Sequence, residues 1–184
     1  MKTKLLVLLL ALQTAWVIGT VAVQETRLHR GQVVLLETAP VDPRDLLRGD
    51  YMILSYKISR LDTGLFVGGW PNAVPDGTPV YVRLDKHGPF HEAIAASFTP
   101  LEPEANRPVL RGRVSRNWGS TPNELRDSLR IDYGLERFYV REGSGEPRGK
   151  LTVAAAVPVS GQAIIKQVYV DGKPYAEAMR EQGQ

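Results

Sequence analysis

The chain has 184 residues, of which 43% are hydrophobic, so its length and composition suit one modest globular domain with its own core. It contains no cysteine, which excludes disulfide bonds, thiolate metal sites and a lipid-modified cysteine. Lys2 and Lys4 are two of the 23 basic residues, and against 20 acidic residues the rest of the chain carries a net charge of +1. The pI of about 9.2 is therefore no argument for nucleic-acid binding, because no basic face or known motif accompanies it.

An apolar run from Leu5 to Val23, interrupted only by Gln13 and Thr14, opens the chain. At about 1.5 Å per residue, a helix of this run is roughly 28 Å long, close to the thickness of a hydrocarbon core. The sequence predicts a membrane anchor over residues 1–23 and a polar juxtamembrane segment over residues 24–30. The alternative is a cleaved signal peptide with a cut after Ala22, although the apolar region of a signal peptide is usually shorter.

The charges that flank the apolar run predict its orientation. Lys2, Lys4 and the terminal amine precede the run, whereas Arg27 and Arg30 follow it. Because the more basic flank stays in the cytoplasm, we expect the domain that follows residue 30 to lie outside the cytoplasm.

The first strand is predicted over residues 32–38, where an apolar run is typical of burial on both faces. Asp42 and Pro43 then suit the opening of a helical turn, and Gly49 suits its end, in a conformation that a Cβ would resist. A strand follows, because its residues alternate in character. We predict Asp50, Met52, Leu54 and Tyr56 on one face and Tyr51, Ile53, Ser55 and Lys57 on the other.

Short strands joined by glycine and proline turns are predicted for the rest of the chain. Residues 61–78 form either a loop folded back on the core or an exposed contact surface around Phe66 and Trp70. The spacing of Leu135, Phe138 and Tyr139 predicts a short helical turn. Strands are predicted over residues 79–86, 90–98, 109–114, 129–132, 151–159 and 163–170.

These elements predict an all-β fold, which is an antiparallel sandwich or a partly closed barrel of about six to eight short strands behind an N-terminal transmembrane helix. No amphipathic helix long enough for a β-α-β crossover follows residue 30. The β domain is assigned to residues 31–175, and residues 176–184 are interpreted as a polar tail, with a frayed helix as the alternative.

The predicted strand that begins at Asp50, which we call the motif strand, also carries a recognisable pattern. Gly49, Asp50 and Tyr51, followed by Leu54 and Tyr56, match every fixed letter of the motif that names the GDYXXLXY family of bacterial proteins, and the chain resembles that family. Residues 42–46 and 133–137 are also similar to it. The resemblance implies no activity, because the family has no established function. It implies an inner-membrane protein encoded nearby as the partner, since genes of the family often lie beside genes for polytopic membrane proteins.

Five candidate binding residues come from these stretches, and they have two interpretations. Exposed, they would present carboxylates, phenols and a guanidinium to a ligand or a protein. Buried, they would be structural: Asp50 would cap backbone amides beside Gly49, the tyrosine hydroxyl groups would be satisfied, and Glu136 would form an ion pair with Arg137. The candidates are Asp50, Tyr51, Tyr56, Glu136 and Arg137.

Two further constellations of side chains are weaker candidates. Four residues of the predicted hairpin over residues 79–98 are suitable metal ligands, but they equally fit a solvated hairpin. Ser55 and Lys150 could form a nucleophile and its base, but the lysine would have to be desolvated, and the signal-peptidase motif is absent. No catalytic residue, metal or cofactor is therefore predicted. The four metal candidates are Asp85, His87, His91 and Glu92.

The apolar run predicts a single-pass protein attached through residues 5–23, and the resemblance implies that its membrane is the bacterial inner membrane. Its periplasmic β domain is expected to bind a membrane protein or an envelope component, and a binding role is favoured over catalysis. The alternative is a hydrolase with an unrecognised carboxylate or Ser/Lys site. A cleft that joins Asp50, Glu136 and Lys150 would favour the hydrolase, whereas an exposed apolar patch around Phe66 and Trp70 would favour binding.

Overall fold

The computed structural model describes residues 2–39, 47–48, 51–69, 74–102, 104–115, 128–141 and 147–182. Its first element is a long helix, α1 (Lys2–Arg30). This helix is long and apolar enough to cross a membrane, with a mean hydropathy of 2.2, and none of its apolar window is buried inside the protein. A membrane anchor and a signal sequence both have this structure.

Twelve strands follow α1 in the described part of the chain, which confirms the all-β fold. Seven of them have five or more residues, and five have only two or three. The strands are β1 (Gln32–Glu37), β2 (Leu47–Arg48), β3 (Tyr51–Ile53), β4 (Arg60–Asp62), β5 (Pro79–His87), β6 (Phe90–Ser97), β7 (Val109–Val114), β8 (Ser128–Asp132), β9 (Arg137–Tyr139), β10 (Leu151–Val157), β11 (Ile164–Val170) and β12 (Lys173–Pro174). Two 3-10 turns, η1 (Lys57–Ser59) and η2 (Thr63–Leu65), and a C-terminal helix, α2 (Tyr175–Gln182), complete the set.

The strands form three antiparallel sheets that close into most of a barrel. The strand orders are β1-β10-β11-β12, β2-β3-β9 and β4-β8-β7-β5-β6. The chain runs from β3 through η1 into β4, which links the second sheet to the third. β1 lies beside β6, where the Leu35 N–H donates a hydrogen bond of 3.2 Å to His91 Nδ1. A groove between β9 and the start of β11 interrupts the wall.

The alternation predicted for the motif strand is confirmed where the structure describes it. Met52, Leu54 and Tyr56 are at most 1% exposed, whereas the described residues between them are half-buried. Each fully buried side chain of this size contributes on the order of 1.5–3 kcal/mol to folding. They belong to one continuous core, which also includes Val34, Leu36, Leu61, Val80, Val82, Leu84, Leu110, Ile131 and Val153.

Two expectations are corrected by the structure. The predicted helical turn over residues 135–139 is wrong, because Arg137–Tyr139 is strand β9, which pairs with β3. The spacing of Leu135, Phe138 and Tyr139 favours a helix, but the backbone hydrogen bonds that β3 offers favour a strand. The polar tail begins with α2, in which Tyr175 and Ala178 are buried against the core.

The loop over residues 61–78 packs on the core through Phe66 and Val74, whereas Val67 is 62% exposed. Phe66 is buried, and its ring stacks on that of Phe98 with the centroids 4.9 Å apart. The exposed-surface interpretation is therefore wrong for Phe66. Trp70 lies outside the described residues, as do Gly49, Asp50 and the predicted turn over residues 42–46.

Candidate functional site

Two buried tyrosines tie the motif strand to the segment between β8 and β9. The Tyr56 hydroxyl donates to the Leu135 carbonyl at 2.6 Å. In the opposite sense, the Tyr133 hydroxyl donates to the Ile58 carbonyl at 2.7 Å. Burial raises the pKa of both phenols well above the ordinary range, and the nearby Glu136 adds to the rise. Both hydroxyl groups therefore stay protonated and keep donating at any physiological pH.

Glu136 closes the same segment on itself. Its Oε1 accepts from the Tyr133 N–H at 2.5 Å, and its Oε2 accepts from the Gly134 N–H at 2.8 Å. Gly134 has a φ of +80°, a backbone conformation that favours glycine and folds the chain back towards the carboxylate. Burial raises the pKa of the Glu136 carboxyl, the amide donors partly offset that rise, and Asp132 adds to it. Glu136 is thus structural, but as a cap on two backbone amides, a role that was not predicted for it.

The Glu136–Arg137 ion pair that was predicted is not among the ion pairs of the described residues. The Arg137 guanidinium instead lies over the Tyr51 ring, with Cζ 5.5 Å from the centroid. The Tyr139 ring lies 6.0 Å from that of Tyr51 and is 71% exposed. Tyr51, Arg137 and Tyr139 together form an outward-facing surface, which we call the β3–β9 patch.

The structure thus divides the five candidates. Tyr51 and Arg137 are accessible and adjacent, Tyr56 is fully buried, and Glu136 is largely enclosed. Asp50 lies outside the described residues. Sequence reasoning missed Tyr139, because residues 135–139 were interpreted as helical. As a strand, the same residues place Arg137 and Tyr139 on one face.

A groove of about 430 Å³ lies beside the patch, between β9 and the start of β11, and we call it the β9–β11 groove. Its wall includes Gln24 of α1, the residue that directly follows the apolar run ending at Val23. The lining contains one cationic side chain and no carboxylate. The lining residues are Gln24, Gly134, Leu135, Arg137, Phe138, Tyr139, Gln162, Ala163, Ile164 and Ile165.

A second cavity, also of about 430 Å³, borders the other side of the Gly134 turn. Arg111, Arg113, Asp132 and Glu136 are among its lining residues, so it brings two guanidinium groups and two carboxylates to one cleft. Lys150 does not line this cavity, so neither of these two cavities joins Glu136 to Lys150.

The Lys150 ammonium is instead an ion-pair partner. Its Nζ lies 2.5 Å from Glu37 Oε1, while Lys57 Nζ lies 2.6 Å from Glu37 Oε2. These hydrogen bonds, with Lys150 first, lower the pKa of the Glu37 carboxyl. The Lys150 side chain is 57% exposed, so it lacks the desolvation that a lysine base requires. The Ser55/Lys150 hypothesis is therefore not supported by this environment.

The four metal candidates lie on one hairpin but not on one face. Asp85 pairs with Glu92 across the hairpin, whereas His91 pairs with Lys86 and projects to the other face. Asp85 forms an ion pair with Arg107 at 3.1 Å. Burial lowers the pKa of His91, which keeps its Nδ1 available as the acceptor for Leu35. Across the part of the chain that the structure describes, no group of three potential ligands could hold a metal ion.

Removal of either buried hydroxyl group should test the tyrosine pair. Tyr56→Phe and Tyr133→Phe should each lower the free energy of unfolding by about 1–3 kcal/mol, because each leaves a buried carbonyl without its donor. Tyr139→Phe is the matched control and should change stability by less than about 0.5 kcal/mol, because Tyr139 is exposed. Urea unfolding of the full chain in detergent measures these values. Equal stability of Tyr56→Phe and Tyr139→Phe would contradict the role of the two tyrosine hydrogen bonds, which we call the tyrosine interlock.

The Glu136 cap predicts a pH dependence. We expect Glu136→Gln to cost about 1–3 kcal/mol near pH 4, because an amide nitrogen cannot accept from a backbone N–H, whereas both oxygens of a protonated carboxyl can. The folded-state pKa of Glu136 lies above the unfolded value of about 4.5. The advantage of the wild type is therefore full below pH 4.5 and shrinks as pH rises through the raised pKa.

Urea unfolding of both proteins across this pH range measures the difference in their stability. Glu92→Gln, which alters an exposed carboxylate, is the control and should stay within about 0.5 kcal/mol of the wild type. An advantage that grows with pH would show that the pKa of Glu136 is lowered instead.

Comparison with known proteins gives one result. None of the curated proteins and none of the solved structures matches the chain significantly. The model of the GDYXXLXY family matches residues 13–168, which include the end of α1, the motif strand, the tyrosine interlock and both walls of the groove. This match covers most of the chain, and the protein belongs to the GDYXXLXY family.

Proposed function

We propose that this protein is a single-pass protein of the bacterial inner membrane whose periplasmic β domain binds the exposed part of another membrane protein. The observation that supports this most is the position of the β9–β11 groove and the β3–β9 patch next to Gln24, at the end of the apolar segment of α1. If Leu5–Val23 spans the hydrocarbon core, Gln24 lies at the level of the lipid headgroups. The groove then opens at the membrane surface.

The chemistry of the patch also suits a binding role. Tyrosine and arginine are enriched at protein interfaces, and here Tyr51, Arg137 and Tyr139 contact one another on an accessible surface. A partner in the same bilayer presents its extramembrane segments at the height of this surface. Anchoring both proteins in one membrane raises their effective concentration, so a modest contact area is sufficient for association.

The hydrolase alternative depends on the second cavity, where Asp132 and Glu136 place two carboxylates in one cleft. The raised pKa of Glu136 would suit a general acid. However, each oxygen of Glu136 already accepts a hydrogen bond from a backbone amide of its own segment. A carboxyl held in this way is a poor proton donor to a substrate, so binding is the better supported of the two functions.

The proposed topology predicts two outcomes. A reporter enzyme that is active only outside the cytoplasm should be active when fused after Gln184, because the more basic flank of α1 stays inside. N-terminal sequencing of the protein from membrane fractions should show that residues 1–23 are retained. A soluble protein that starts near Val23 would contradict the anchor and support the signal peptide.

The patch predicts which variants lose a partner. We expect Arg137→Ala and Tyr139→Ala to reduce partner capture by about fivefold or more, as truncation at the centre of an interface does. Both side chains are exposed, so the melting temperature should hardly change. Chemical crosslinking in native membranes, followed by purification and mass spectrometry, measures the capture and identifies the partner.

Glu92→Ala provides the control, because Glu92 is exposed on β6 and outside both the patch and the groove. It should capture the partner as the wild type does. Full capture by Arg137→Ala and Tyr139→Ala would show that the partner binds elsewhere. Recovery of an envelope polymer or lipid in place of a protein would contradict the membrane-protein partner.

A further inference from the structure

Strand β9 presents to the groove a backbone edge that has no strand partner among the described residues. Leu54 N–H donates to the Glu136 carbonyl at 2.8 Å, and in the same register Met52 lies opposite Phe138. Hydrogen-bonded pairs alternate along an antiparallel ladder, so Glu136 and Phe138 are the residues whose backbone groups face β3. The N–H and C=O groups of Arg137 and Tyr139 therefore point away from β3. β9 is the last strand of its sheet, so no strand among the described residues accepts these groups.

The opposite wall of the groove, at the start of β11, also lacks a strand partner among the described residues on the groove side. Ile164 and Ile165 pair with β10 on one side. On the other side of β11, β12 pairs only with Tyr169 and Val170, at the far end of the strand. Among the residues that the structure describes, no strand lies against the first residues of β11 on the groove side. The groove is thus a gap between two strand edges in a barrel that is otherwise nearly closed.

An unpaired strand edge is a template for another strand, and proteins normally protect it with charge, a covering loop or a short length. β9 is short and carries Arg137, which discourages chance pairing. The N–H and C=O groups of β9 that point away from β3 nevertheless lie in a cleft that also offers apolar surface from Ala163 and Ile165. Backbone donors and acceptors beside pockets for alternate side chains are the features by which sheet edges bind extended peptides.

We propose that the β9–β11 groove receives an extended segment of the partner membrane protein, which pairs with the edge of β9 as an added strand and fills the gap in the barrel wall. This inference rests on the proposed function and specifies how the partner is bound. The lining selects the chemistry of the segment. Arg137 is a cation in a lining without carboxylates, so the segment carries an acidic side chain. Its alternate positions are apolar and face Ala163 and Ile165.

The position of the groove selects the source of the segment. Gln24 lies in the groove wall one residue beyond the apolar run, so the added strand lies at the membrane surface. A stretch of chain that leaves a transmembrane helix of the partner passes through this level. A second copy of this chain and a lipid headgroup are the other occupants that the test below distinguishes.

The backbone contribution is tested with two substitutions at one position. Tyr139→Ala removes the exposed ring but keeps the N–H that faces the groove, whereas Tyr139→Pro removes both. Proline is tolerated at a strand edge, and the Tyr139 N–H is not bonded to β3, so both variants should keep the melting temperature of the wild type within a few degrees. We expect Tyr139→Pro to capture the partner about tenfold less well than Tyr139→Ala. Equal capture by both variants would overturn strand addition, because only the side chain would then matter.

The location is tested independently of that comparison. A photoreactive amino acid is placed at position 139, at position 164 or, as a control, at position 92 of the full-length protein in its native membranes. We expect the first two positions to crosslink to one segment of one membrane protein, within about four residues of each other, as the spacing along a strand requires. Position 92 should give no such product.

The outcomes separate this inference from the proposed function. Crosslinks from positions 139 and 164 to lipid, to a second copy or to residues at helical spacing would overturn strand addition. A membrane protein captured by the wild type that crosslinks only at position 92 would also overturn it, while membrane-protein binding would stand. If neither crosslinking nor purification yields a membrane protein, the proposed function fails as well.

Discussion

The fold depends on two tyrosine hydroxyl groups that donate in opposite directions between the segment after β3 and the segment before β9. Tyr56 reaches from the motif strand to the Leu135 carbonyl, and Tyr133 reaches back to the Ile58 carbonyl. The Ile58 carbonyl lies in the 3-10 turn η1 and the Leu135 carbonyl lies in the turn between β8 and β9, so neither belongs to a strand. A buried carbonyl without a donor is costly, so these phenols satisfy what the sheets leave open. They also hold the small sheet of β2, β3 and β9 against the five-stranded sheet that contains β4 and β8.

This interlock explains why the residues of the motif separate into two groups. Leu54 and Tyr56 are buried where the two segments meet, whereas Tyr51 projects outwards and contacts Arg137 and Tyr139. A structural role and a binding role therefore occupy alternate positions of one strand. The rigidity of the inner face fixes where the outer face is displayed, which reduces the conformational entropy that binding would otherwise cost.

The fold class was predictable, but part of the site was not. Period-two alternation and turn residues located the hairpins and put Tyr56 on the same face as Met52 and Leu54, because alternate residues of a strand share a face. The stretch Leu135–Tyr139 was misinterpreted, because the pairing of Phe138 with Met52 spans a long sequence separation that local spacing does not encode. The cap that Glu136 forms on two backbone amides was not predicted, for a similar reason. Its partners are amides of its own turn, and only the positive φ of Gly134 brings them within reach.

The contact between β1 and β6 has a consequence for the behaviour of the barrel in acid. At this seam the Leu35 N–H is satisfied by a side-chain nitrogen, His91 Nδ1, where a sheet would supply a carbonyl. A carbonyl accepts at any pH, but an imidazole accepts only while it is neutral. Protonation would set two N–H groups against each other and turn an attraction into a repulsion. The contact between β1 and β6 thus includes a hydrogen bond that is lost when His91 is protonated, so acidification weakens this seam.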